Sequence, residues 1–125
     1  MLLVKTKIGP SKIHGIGLFA DQPIAKGAVV WKFIENFDLE ITKTTLNTLP
    51  IQARDNILTY AYLNKDGNYV LCSDDARFFN PQDSPNVTAP QDDSAPNIAI
   101  RNIVSGEELT QNYKNFDADF ERKLK

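Results

Sequence analysis

A chain of 125 residues, 42% hydrophobic and 24% charged, suits one domain burying roughly two-thirds of its unfolded surface and is too apolar to be disordered. Its formal net charge of −2, with no Lys/Arg run, excludes the basic footprint of a direct nucleic-acid binder and leaves a surface that tolerates a lysine-rich peptide. The single cysteine, Cys72, excludes an internal disulfide and a multi-cysteine zinc site, and no stretch approaches the about 18 apolar residues of a membrane span.

In chain order, residues 2–8 alternate and predict a first strand, turned by Gly9-Pro10-Ser11. The apolar run in residues 1–5 is too short for a secretion signal, so the expected compartment is cytoplasmic. His14-Gly15-Ile16-Gly17-Leu18-Phe19-Ala20 leads from a glycine turn into a second strand. Pro23 and Gly27 punctuate the chain before a buried strand over residues 28–34. A helix is expected over about residues 49–63, with Thr48 as its cap and Pro50 in its first turn. Ile51, Arg54, Leu58, Ala61 and Tyr62 would share its apolar face. Residues 65–68 turn the chain into a short strand over 69–72.

Residues 74–86 read Asp-Asp-Ala-Arg-Phe-Phe-Asn-Pro-Gln-Asp-Ser-Pro-Asn, an ordered loop anchored by Phe78 and Phe79, since a solvated loop gains nothing from adjacent phenylalanines. Residues 88–96 form an exposed polar loop, and 97–104 a strand. Ser105-Gly106 then turns the chain so that residues 108–113 pair back on that strand. A short terminal helix is expected over 117–125, with Phe116 and Phe120 one turn apart. The pattern is that of a mainly β domain with one or two short helices.

Most candidate residues have a plain structural reading. Glycines beside a strand serve turns, Asn80 before a proline is a turn residue, Arg77 is a solvated charge and Tyr113 a packed strand tyrosine. The pairs Asp74-Asp75, Asp92-Asp93 and Glu107-Glu108 could do acid–base work, but adjacent carboxylates mostly face solvent. His14 is the only histidine and no ligand set at metal spacing accompanies it, so no metal site is expected.

Together, however, Arg77-Phe78-Phe79-Asn80 followed by Pro85-Asn86, and Gly106-Glu107-Glu108-Leu109-Thr110-Gln111-Asn112-Tyr113, resemble the two signature segments of the SET domain, a protein-lysine methyltransferase module using S-adenosylmethionine. The Gly-x-Gly at 15–17 and the Pro-x-x-x-Gly at 23–27 fall where that family has them. The resemblance covers nearly the whole chain and implies a single SET domain over residues 1–125, a β-clip with a C-terminal pseudoknot, whose tail from about residue 114 closes the site. It implies a cofactor site made by His14, Gly15, Ile16, Gly17, Arg77, Phe79, Asn80, Pro81 and Phe116. Tyr113 would be the catalytic residue, Tyr60 and Tyr62 the walls of the lysine channel. The substrate would be a protein or peptide with an exposed lysine, the product cofactor S-adenosylhomocysteine.

Two departures from the pattern bear on this. Pro81 stands where the family usually has His, and it lacks the backbone N–H that commonly binds the adenine. The family's cysteine cluster after the domain is also missing, so Phe116, Phe120 or the second subunit of a homodimer would have to close the site. The first departure motivates a competing expectation, a degenerate SET module that binds a protein partner without turnover.

Overall fold

The computed structural model describes residues 1–89 and 95–112. The first hairpin pairs β1 (Thr6–Pro10) with β2 (Ile16–Ala20), antiparallel, from Thr6 opposite Ala20 to Pro10 opposite Ile16. Gly9 and Pro10 thus continue the strand instead of turning it. A proline is tolerated at the end of a strand with a free edge, where no N–H is needed. The turn begins at Ser11, whose N–H donates to the Gly15 carbonyl at 2.8 Å. Residues 2–3 leave this strand to lie beside Trp31, with the Leu3 N–H on the Val30 carbonyl at 2.9 Å.

The next strand, β3 (Val29–Trp31), is shorter than residues 28–34. It pairs later with β8 (Asn97–Ile98). Between them, β4 (Leu39–Ile41), β5 (Tyr62–Leu63) and β6 (Tyr69–Leu71) make a three-stranded sheet with β6 in the middle. Two helices cover it. The first, α1 (Lys43–Asn47), is capped by Thr42, whose hydroxyl accepts the Thr45 N–H at 3.1 Å. The second, α2 (Ile51–Tyr60), starts at Pro50 without a side-chain cap, because Thr48 ends α1 instead.

The expected helix is therefore cut at both ends. Ala61 is already extended, so Ala61 and Tyr62 leave the helical face; Ile57 is the buried residue of α2, and Ile51 is 58% exposed. A small cluster of Leu46, Ile57, Ala61 and Tyr69 holds this lobe.

The larger core gathers Leu18, Val30, Trp31, Phe79, Val87, Ile103 and Leu109 from segments distant in sequence. The loop expected over 74–86 contains a 3-10 turn, Asp75–Phe78, capped by the Asp74 carboxylate. It runs into β7 (Asn80–Pro81). The last strand, β9 (Thr110–Gln111), pairs parallel with β7, Asn80 opposite Thr110 and Pro81 opposite Gln111. This corrects the expected pairing of residues 108–113 back on 97–104. The C-terminal segment is held on one side by β2, through Leu109 N–H to the Leu18 carbonyl at 2.8 Å, and on the other by β7 and Val87. Among the described residues the fold is mainly β, with two short helices and no closed barrel. The terminal helix expected over 117–125 lies outside the described residues, as does much of the loop expected over 88–96.

Candidate active site

A cleft of about 310 Å³ opens where three separate pieces of chain meet. One wall is the turn after β1, with His14, Gly15 and Ile16; a second is the end of α2, with Thr59 and Tyr60. The floor is Arg77, Phe78, Phe79, Asn80 and Pro81. The volume falls at the small end of ordinary small-molecule sites, about 300–1,000 Å³.

Asn80 joins floor to wall. Its Nδ2 donates to the His14 carbonyl at 2.9 Å, the Ile16 carbonyl at 3.2 Å and Glu108 Oε2 at 3.0 Å. Three acceptors around one amide nitrogen fix the orientation of the carboxamide and make this corner electronegative. Asn80 is thus more than the turn residue its position before proline suggests.

The two glycines of the turn are required for different reasons. Gly15 has φ +48°, a left-handed conformation, and a Cβ there would meet nothing; its need is conformational. A Cβ on Gly17 would lie 2.5 Å from Glu108 Oε2, so Gly17 is needed for close approach.

The aromatic wall is held internally. Tyr60 and Phe78 meet edge to face, centroids 6.0 Å apart at 75°. The Arg77 guanidinium lies 5.3 Å from the Tyr60 ring centre, a cation–π distance, and donates to the Cys72 carbonyl at 2.9 Å. Arg77 is therefore bound rather than solvated.

Among the residues expected at the site, the structure brings His14, Gly15, Ile16, Tyr60, Arg77, Phe79, Asn80 and Pro81 onto one cleft. Gly17 sits just behind it in β2. Tyr62 does not line it, because the chain enters β5 there and Tyr62 pairs with Val70. Tyr113 and Phe116 lie outside the described residues.

Sequence reading missed Thr59 and Glu108. The latter was grouped with solvent-facing carboxylates, yet it accepts hydrogen bonds from Ser11 and Asn80. Its neighbour Glu107 is also engaged, with Arg101 and Asn86. Nothing in the run Gly106-Glu107-Glu108 tells which carboxylate turns inward. Among the described residues no group of His, Cys, Asp and Glu is arranged to hold a metal ion.

The family model for the SET domain matches residues 15–114, and the chain belongs to that family. Solved structures share the fold. A Plasmodium falciparum protein described as a histone methyltransferase superposes with a TM-score of 0.60 at 22% identity, covering 90% of this chain and 95% of that one. Chaetomium thermophilum Polycomb Repressive Complex 2 bound to the inhibitor GSK126 gives 0.69 at 22% identity over 97% of this chain. The same complex in an autoinhibited conformation bound to S-adenosylmethionine gives 0.68 at 22% identity, again over 97% of this chain. This chain spans only 17% and 16% of those two polypeptides. No protein of curated function matches it.

Proposed function

We propose that the cleft binds S-adenosylmethionine and that the domain transfers a methyl group to the side-chain amine of a protein lysine, releasing S-adenosylhomocysteine. The observation that carries this reading is Asn80, which ties the glycine turn to the first signature at one corner of the cleft. Membership of the SET family, with histone methyltransferases among the structural neighbours, supports the reaction class.

The residues present fit such a cofactor. The His14 and Ile16 carbonyls and the Asn80 carboxamide, at one corner of the cleft, suit the ammonium and carboxylate of an amino-acid end. Gly15 and Gly17 let backbone approach closely. Phe78 and Tyr60 offer apolar faces to a flat ring. Pro81 contributes no N–H, which costs about 0.5–1.5 kcal/mol relative to a residue that donates.

The cofactor supplies an electrophilic methyl carbon on a sulfonium; the chain supplies alignment. Tyr60, on the rim of the cleft, walls the approach of the target amine. A free lysine has a pKa of about 10.4, and an apolar aromatic wall favours the neutral amine by desolvation. The role of orienting that amine is assigned to the Tyr113 hydroxyl.

Tyr113→Phe tests the assignment. Methyl transfer from labelled cofactor to a lysine-rich protein pool should fall by about a hundredfold or more, while cofactor affinity changes much less. Equal transfer by both proteins removes Tyr113 from the catalytic role. Pro81 on the cleft floor favours one other reading, a protein-binding module without turnover. A wild-type protein that binds neither cofactor nor its demethylated product would support that one.

A further inference from the structure

We propose that Glu108 is a positioning residue of the cleft, the pin that fixes the turn of residues 11–17 against Asn80; its consequence for ligand binding rests on the cofactor reading above. Glu108 arrives from the C-terminal segment and is placed beside β2 by its bridge to Phe19 and by the Leu109 N–H on the Leu18 carbonyl. Both of its carboxylate oxygens lie 2.9 Å from Ser11 Oγ, and Oε2 also accepts from Asn80 Nδ2 at 3.0 Å.

The hydrogen bonds close into a ring. The backbone N–H of His14 donates to Ser11 Oγ at 3.2 Å, that hydroxyl donates to Glu108, Asn80 donates to Glu108, and the same Asn80 amide donates to the His14 carbonyl. The Ile13 N–H adds a second donor to Ser11 Oγ at 2.9 Å. At Ser11 the inventory balances, since the hydroxyl has one hydrogen to give and two lone pairs to fill; the two amide hydrogens of Asn80 are shared among three acceptors, and the carboxylate only accepts.

Two further facts single out Glu108. Glu107 is paired with Arg101, whereas among the described residues no cation lies within ion-pair distance of Glu108. Its charge is spent on neutral donors, the stronger kind of hydrogen bond. The carboxylate also fills the volume that a side chain on Gly17 would need, with Cδ at 2.9 Å and Oε2 at 2.5 Å from that Cβ position. Glycine at 17 thus leaves room for the Glu108 carboxylate, and Ser11 Cβ, 3.0 Å from the same position, narrows that space from another side.

The experiment combines calorimetric titration with S-adenosylmethionine and S-adenosylhomocysteine, and amide hydrogen exchange at Ser11 in the free protein. It compares wild type, Glu108→Gln, Glu108→Ala, Gly17→Ala and the Gly17→Ala/Glu108→Ala double variant. In Glu108→Ala, exchange at Ser11 should quicken at least about tenfold, with amides of β3 and β8 unmoved, and both ligands should weaken at least about tenfold, about 1.4 kcal/mol.

Glu108→Gln keeps an acceptor for Ser11 and should restore most of the protection, whereas Glu108→Met, added to the set because it fills similar space without an oxygen, should not. Gly17→Ala should be damaging alone and clearly less so when added to Glu108→Ala, where only the Ser11 Cβ at 3.0 Å still crowds the new methyl, a departure from additivity. Unchanged exchange at Ser11 in Glu108→Ala, or additive effects in the double variant, would overturn the proposal. A wild type that binds neither ligand would sink the cofactor reading, and the exchange data would still decide whether Glu108 pins the turn.

Discussion

Asn80 and Asn86 belong to one loop, and both reach the C-terminal segment, yet they stand in different surroundings. Asn86 is 2% exposed and satisfied at both ends of its side chain. Its Nδ2 donates to the Glu108 carbonyl at 2.8 Å and to Glu107, while its Oδ1 accepts the Thr110 N–H at 2.9 Å. Asn80 spends its amide hydrogens on the glycine turn and on Glu108, beside an open cleft. The difference teaches that the two asparagines of the first signature divide the labour: the second locks the chain crossing, and the first shapes one corner of the cleft.

Substitutions should separate the two roles. The largest effect is expected from Asn86→Ala, which leaves a buried N–H and a buried carbonyl unpaired at about 1–3 kcal/mol each. At roughly 4 °C per kcal/mol for a domain of this size, a melt followed by circular dichroism should fall by about 10 °C. Next, Asn80→Ala should cost less in melting temperature but weaken S-adenosylmethionine by at least about tenfold, or 1.4 kcal/mol, in a calorimetric titration. A ranking in the opposite sense would break the division.

Pro81→His, which restores an N–H on the cleft floor, should tighten the cofactor by about tenfold with little change in the melt. Unchanged affinity, with the wild type already binding well, would show that the ring is held by other groups.

The smallest effect concerns the rim of the locked corner. The hydrogen bond from Arg101 holds the Glu107 carboxyl below its ordinary range; burial opposes this, and Asn86 and the Val104 N–H assist it. A carboxyl lowered in the folded state adds stability above its unfolded pKa, about 4.3, and that contribution is lost as pH falls through the folded value. The pair is exposed enough that Arg101→Ala should cost at most about 1 kcal/mol at neutral pH. The difference from wild type should fade in acid melts.

The lining of the cleft was more legible than the strand pairing beneath it. Phe78, Phe79 and Asn80 stand together in the chain, and their residue types announce an anchored loop with a polar tip. Gly15 and Gly17 likewise mark a turn. The pairing of Asn80–Pro81 with Thr110–Gln111 could not be read locally, because parallel partners so distant in sequence leave no turn signal between them. Glu108 escaped for the same reason: its donors come from Ser11 and Asn80, and neither is near it in the chain.

Among the helices, α1 was missed because residues 43–47 carry two threonines and one buried leucine, too little for an apolar period. Its Thr42 cap was visible but unread. Residues 49–63 were over-read as one helix because Ala61, Tyr62 and Leu63 continue the apolar count after the backbone has become extended.

The central proposal is that S-adenosylmethionine binds in this cleft. Backbone amide shifts recorded while the cofactor is titrated into the protein would locate it. Saturable changes are expected at residues 14–17, 59–60 and 77–80, while Val30, Val87 and the amides of β6 stay in place. Shifts centred on the small cluster of Leu46, Ile57 and Tyr69, or no saturable change at any amide, would contradict it.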